Sequence, residues 1–221
     1  MRGQTSVGAF TIETLEPTTA LPFSARILIC AAGASRRMAP DDKLMLPVQG
    51  QPLLRHVAKQ VLALKLATHA ALPAKPHPRW DALAGLGLSM GAYGDSAEGL
   101  AGTLRAAVAD LPASVTHLCV VLADLPDIQT QDFDAVFEQV KAHPDALIWR
   151  PLGPKGQPAH PTVFHRNTFA AFASISGDSG AQSVIETFSG ALHEFSATNG
   201  AGSYDIDTPE EYQAYLAHAN R

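Results

Sequence analysis

An apolar run that breaks abruptly into small residues and clustered cations constrains this chain more than any other feature. Arg26-Ile27-Leu28-Ile29-Cys30-Ala31 leads directly into Ala32-Gly33-Ala34-Ser35-Arg36-Arg37-Met38, and Lys43-Leu44-Met45-Leu46-Pro47 follows five residues later. The first stretch is short, apolar and partly β-branched, which reads as a buried strand. Ala32 to Ser35 has so little side-chain bulk that its backbone N–H groups can approach phosphate oxygens. Arg37 and Lys43 can then supply charge; the alternative for them is a solvated surface pair. A Walker loop needs Gly, four residues and Gly-Lys-Ser/Thr, and the dinucleotide fingerprint needs three spaced glycines. This turn has one, Gly33, and fits neither.

The rest of the chain alternates strand-like and helix-like segments, which predicts βαβ units and a mostly parallel sheet. Pro52 to Leu64 starts with proline at a first helical turn and places Leu54, Val57, Val61 and Leu64 on one face. Further strands are expected near 68–72, 86–90, 117–123 and 146–150, and helices near 97–109 and 130–142. Ligands of open α/β sheets bind beyond the carboxyl ends of strands, where both Gly33 and Asp124 fall. Cys119 to Leu122 delivers Asp124 to such an end, and Pro126 stops regular structure just beyond. A hard Mg²⁺ ion wants one or two carboxylates plus substrate phosphates, so Asp124 is a candidate ligand, with a capping role as the alternative.

Asp205 and Asp207 alternate along an extended stretch and so share one face, and either can complete a metal site. Capping by Asp207 or Thr208 ahead of Pro209 is the competing reading. The Pro- and Gly-rich stretch from Arg150 to Pro161 is expected to be an irregular binding loop. Gly177-Asp178-Ser179-Gly180-Ala181 reads as a turn with a helix to follow.

Composition bounds the possibilities. A chain of 221 residues, 46% hydrophobic and 17% charged, suits one α/β domain, and its net charge of −5 disfavours nucleic-acid or anionic-membrane partners. The two cysteines, Cys30 and Cys119, lie in expected buried strands and favour a reducing, cytoplasmic setting. The nine histidines show no tight ligand spacing, which argues against zinc. Residues 1–25 have no secretory pattern and read as a flexible leader, with residues 26–221 as the folded domain. No run approaches the length of a membrane span.

The segment from Ile29 to Met38, then Lys43-Leu44-Met45-Leu46-Pro47 and Gly50-Gln51-Pro52-Leu53-Leu54, resembles the molybdenum-cofactor nucleotidyltransferases, the cytidylyltransferase branch in particular. Glu98 to Arg105, Val120 to Pro126, Gly177 to Ala181 and Asp205 to Glu211 resemble four further family segments in the expected order. The chain departs from the pattern at Ala39, at Gly102-Thr103 and at Ala159, positions that bear on substrate choice more than on reaction type.

The resemblance implies a Rossmann-like three-layer α/β sandwich of the nucleotide-diphospho-sugar transferase type. It also implies transfer of CMP from CTP to the terminal phosphate of a molybdopterin-type cofactor, with Mg²⁺ on Asp124 and Asp207. Ala31, Ala32, Gly33, Ser35, Arg37, Lys43, Gly99 and Thr103 would then meet the nucleotide, and Arg37, Lys43 and Asp124 would carry catalysis. Gly156, His160, Pro161 and Asp178 would meet the acceptor, and a molybdoenzyme or its chaperone would be a partner. The alternatives are another phosphorylated acceptor, such as a sugar or polyol phosphate, and a non-catalytic cofactor-delivery protein.

Overall fold

The computed structural model describes residues 23–93, 99–177, 180–197 and 201–219. In chain order the elements are β1 (Ala25–Cys30), β2 (Pro47–Val48), β3 (Gln51–Pro52), α1 (Leu53–Leu62), β4 (Ala67–Leu72), α2 (Pro78–Leu83) and β5 (Ser89–Ala92). There follow α3 (Gly99–Ala109), β6 (His117–Leu122), α4 (Thr130–Ala142), β7 (Ile148–Leu152), β8 (Thr162–His165), α5 (Gln182–Thr187), β9 (Leu192–Ser196) and α6 (Pro209–Ala219). Seven strands make one sheet in the order β5-β4-β1-β6-β8-β7-β9. Pairing is parallel except where β8 lies antiparallel between β6 and β7. The three-layer α/β arrangement expected from the sequence is therefore present.

Side-chain alternation divides the core. Ile27, Ile29, Cys119 and Val121 face one helical layer with Leu54, Val57 and Val61 of α1, all at 0% exposure. Leu28, Cys30, Leu118 and Val120 face the other layer, with Ala101 and Leu104 of α3. Because α1 buries its apolar stripe completely, Leu54→Ala is expected to cost about 3 kcal/mol of stability from lost contacts and a residual cavity. A urea unfolding curve checks this, and a loss below about 1 kcal/mol would mean that the helix does not anchor the sheet.

Several local expectations need correction. The strand expected near 86–90 is Ser89–Ala92, and the one near 146–150 is Ile148–Leu152. The stretch from Arg150 to Pro161 is not wholly irregular: its start belongs to β7, and Leu152 bridges to Pro158. Between them Gly153 N–H donates to Gln157 O at 2.7 Å and Gly156 N–H to Gly153 O at 2.9 Å, so a tight turn reverses the chain into β8. Strands β8 and β9 were not expected, because short segments joined by Pro-rich turns carry little periodicity. Residues 23–25, placed with the leader, join the domain: β1 starts at Ala25, and the Phe23 ring sits 4.8 Å from that of His117. Residues 1–22, the rest of the expected leader, lie outside the described residues.

Candidate active site

Strand order reverses beside β1, since β4 and β5 lie on one side and β6 on the other. This switch point is where open α/β sheets leave a crevice past their carboxyl ends. The turns after β1 and β6 flank a cavity of about 470 Å³, lined by the 30–37 stretch, Lys43, Tyr93, Gly99, Leu100, Thr103, Asp124, Asp205 and Asp207. All eight residues expected at the nucleotide except Ala31, Ala32, Gly33 and Ser35 come from outside the first turn, yet the eight converge on one cavity.

Each side chain is delivered by an identifiable local device. Lys43 opens a 3-10 turn (Lys43–Met45) whose N-cap Asp42 accepts from Leu44 N–H, and buried Leu44 pins the turn to the core. Arg37 lies in a second such turn (Arg36–Met38), entered through Ser35 in the left-handed region at φ 50° and held by buried Met38. At the other end of the chain, Ile206 is fully buried and its N–H donates to the backbone carbonyl of Asp124 at 3.0 Å. That pairing places Asp205 and Asp207 beside Asp124. Thr208 Oγ1 accepts from Glu211 N–H, and Glu211 accepts from the N–H groups of Asp207 and Thr208. Capping of α6 therefore falls to Thr208 and Glu211, and the Asp207 carboxylate is left for cations.

Asp124, Asp205 and Asp207 each offer an oxygen, all within 4.8 Å of one another. Lys43 Nζ donates to Asp124 at 2.5 Å and to Asp207 at 2.7 Å, and Arg37 donates to Asp207 at 2.6 Å. Burial works against the Lys43 charge, but the charges and hydrogen bonds of Asp124 and Asp207 outweigh it and raise its pKa. Asp207 is pushed up by burial and more strongly down by Lys43 and Arg37, so its pKa is lowered. Asp205 has no such cation: burial and then repulsion from Asp124 and Asp207 raise its pKa. Asp124 Oδ1 is buried without a hydrogen-bond partner among the described residues. An orphaned carboxylate oxygen amid three hard donors fits a divalent cation that prefers oxygen ligands.

Cys30 reaches the cavity wall, but burial and then the charge of Asp124 push its thiol up to about 12, so it is no nucleophile. Cys119 is buried as well, with its thiol pushed up by desolvation.

Of the residues assigned to the acceptor, Gly156, His160 and Pro161 do not line this cavity. Gly156 sits in the turn after β7 at φ 77°. His160 is drawn inward: its N–H donates to Gly202 O at 2.8 Å, and Nδ1 lies 3.4 Å from Val120 O. A Cβ on Gly202 would collide with the His160 carbonyl, so this close approach needs glycine at 202. Burial lowers the His160 pKa. Asp178 and Glu98 lie outside the described residues.

Sequence reasoning passed over Arg79, on α2. Only 1% exposed, it commits five donor contacts: Nη1 to Ala31 O and Gly33 O, both 2.7 Å, Nη2 to Ser35 Oγ at 2.9 Å and Asp42 Oδ1 at 2.7 Å, and Nε to Asp42 Oδ2 at 2.8 Å. Burial alone would raise the Asp42 pKa, but the hydrogen bonds and charge of Arg79 lower it. No signal marked Arg79, a lone arginine after His77-Pro78.

The chain matches the MobA-like NTP transferase domain over residues 27–194 and belongs to that family of nucleotidyltransferases. No curated protein matches it in sequence. Among solved structures it is similar to a homologue of Mycobacterium tuberculosis rv0371c from mycobacterium sp. strain JC1, with a TM-score of 0.76 at 21% identity over 88% of this chain and 96% of that one. Rv0371C from Mycobacterium tuberculosis H37Rv in complex with manganese gives 0.70 at 23% identity, over 88% and 98%. A CMP:2-keto-3-deoxy-manno-octonic acid synthetase complexed with CTP gives 0.66 at 14% identity, over 89% and 99%. Among the described residues, no helix is long and apolar enough to cross a membrane.

Proposed function

We propose that this protein transfers a cytidylyl group from CTP to the terminal phosphate of a molybdopterin-type cofactor and releases pyrophosphate. The observation that carries the reading is the meeting of Lys43 and Arg37 with Asp124 and Asp207 beside a small-residue turn. Family membership supports the transfer chemistry. The CTP-bound synthetase of the same fold and the Ala31-Ala32-Gly33 start support cytidine as the base.

In the reaction an oxygen of the acceptor phosphate attacks the α-phosphorus of CTP in line, the bond from that phosphorus to the bridging oxygen breaks, and pyrophosphate leaves. A phosphate monoester is sufficiently ionised at neutral pH, so no Ser or Cys nucleophile is required. Lys43 and Arg37 turn from the carboxylates to the phosphates and neutralise the leaving group. Asp124 and Asp207, with Asp205 beside them, would hold Mg²⁺, which when bound neutralises phosphate oxygens. The manganese complex of a neighbour supports a divalent cation here. The acceptor assignment to Gly156, His160, Pro161 and Asp178 is part of the proposal, as is onward transfer to a molybdoenzyme or its chaperone.

Pyrophosphate release, measured for CTP, GTP, ATP and UTP with Mg²⁺ and with or without molybdopterin, tests the reading. Release with CTP only when molybdopterin is present supports it. Release with a sugar or polyol phosphate instead would replace the acceptor, and tight pterin binding with no release would make the protein a delivery factor.

A further inference from the structure

We infer that Arg79 and Asp42 are positioning residues that orient the backbone of the phosphate-facing turn, aiming the N–H groups of Ala32 and Ala34 into the cavity. The inference rests on the nucleotide reading above and names how the protein builds that part of the site.

In a trans peptide the carbonyl of one residue and the N–H of the next point in opposite directions. Arg79 Nη1 holds both the Ala31 and the Gly33 carbonyls at 2.7 Å. The N–H groups of Ala32 and Ala34 are therefore turned away from Arg79. Ala32, Gly33 and Ala34 all line the cavity and Arg79 does not, so away from Arg79 means toward the ligand space. Neither amide donates to a described backbone carbonyl. Two spaced donors remain, of the kind that cradles phosphate oxygens.

The fork also controls where the turn ends. Ser35 Oγ accepts from Arg79 Nη2 at 2.9 Å and donates to Asp42 Oδ1 at 3.2 Å, which pins the one residue of the turn with left-handed backbone. Arg37 follows two residues later. Asp42 is itself bidentate to Arg79 and caps the turn that presents Lys43, so one buried pair fixes the amides, Arg37 and Lys43 together. A guanidinium has five N–H donors in a rigid plane, and here each has an acceptor. Lysine cannot reproduce that fork. A buried ion pair is in general a poor source of stability compared with apolar packing, so stability alone does not account for this one.

The test compares wild type, Arg79→Lys and Asp42→Asn by calorimetric titration with CTP–Mg²⁺, well below each protein's Tm, and by amide NMR. In wild type, Ala32 and Ala34 are expected to show large amide shifts on CTP addition. Arg79→Lys should weaken CTP affinity by about tenfold or more, the scale of a misplaced binding group, and lose those shifts. A structural role alone would lower Tm and leave affinity and shifts unchanged, and that result would overturn the inference. Should Arg79→Lys fail to fold, Asp42→Asn decides: it keeps the partner's shape and removes the charge that holds the guanidinium, and unchanged CTP affinity with unchanged shifts at Ala32 and Ala34 would again overturn the inference. Failure of wild type to bind any of the four nucleotides would instead overturn the proposed function.

Discussion

Asp124→Ala is expected to abolish nucleotidyl transfer, a fall of at least about a thousandfold, without unfolding the protein. Its side chain contributes little to stability. Among the described residues one oxygen meets only Lys43 and the other is buried with no partner, and the backbone carbonyl that receives Ile206 N–H survives any substitution. Removing the carboxylate relieves a desolvation cost and repulsion with Asp205 and Asp207. Thermal melting should therefore stay near wild type while Mn²⁺ binding, read by electron paramagnetic resonance, weakens sharply. The comparison with Asp124→Asn, which keeps the shape and loses the charge, isolates the charge itself. Near-normal turnover at saturating Mg²⁺ would remove Asp124 from the metal site.

Lys43→Met is expected to lower transfer by at least about tenfold, the scale of losing one stabiliser of developing charge. A second effect runs the opposite way. In the absence of nucleotide the Lys43 ammonium bridges Asp124 and Asp207 and occupies the charge field that a divalent cation would use. Taking it away should tighten Mn²⁺ binding to the nucleotide-free protein even as CTP binds more weakly. A general loss of structure cannot produce opposite signs for the two ligands. If nucleotide affinity and rate both stay unchanged, Lys43 does not face the phosphates.

How much of this was legible in the sequence depended on whether the signal was local. The end of β1 and the end of β6 are each a contiguous apolar run closed by a chemically different residue, so Gly33 and Asp124 could be placed without coordinates. Asp205 and Asp207 could be put on one face by alternation alone. Whether they met the first carboxylate could not, because the tie is a backbone hydrogen bond from Ile206 to Asp124 across the fold. Arg79 was invisible for a related reason: two of its contacts are to backbone carbonyls, which every residue has, and the rest reach Ser35 and Asp42, 44 and 37 positions away. His160 shows the converse. A histidine in a Pro-rich stretch was legible as a candidate acceptor contact, whereas its bonds to Gly202 and to the Val120 carbonyl came only from the fold.

The pairing of Arg37 with Asp207 spans 170 positions of chain. Contacts that close so long a loop are entropically expensive and tend to form after the nearby ones. During synthesis the central strands can associate well before residues 205–207 leave the ribosome. The acid trio therefore assembles after the central strands, and a nascent chain has no complete trio with which to spend nucleotide until residues 205–207 have docked.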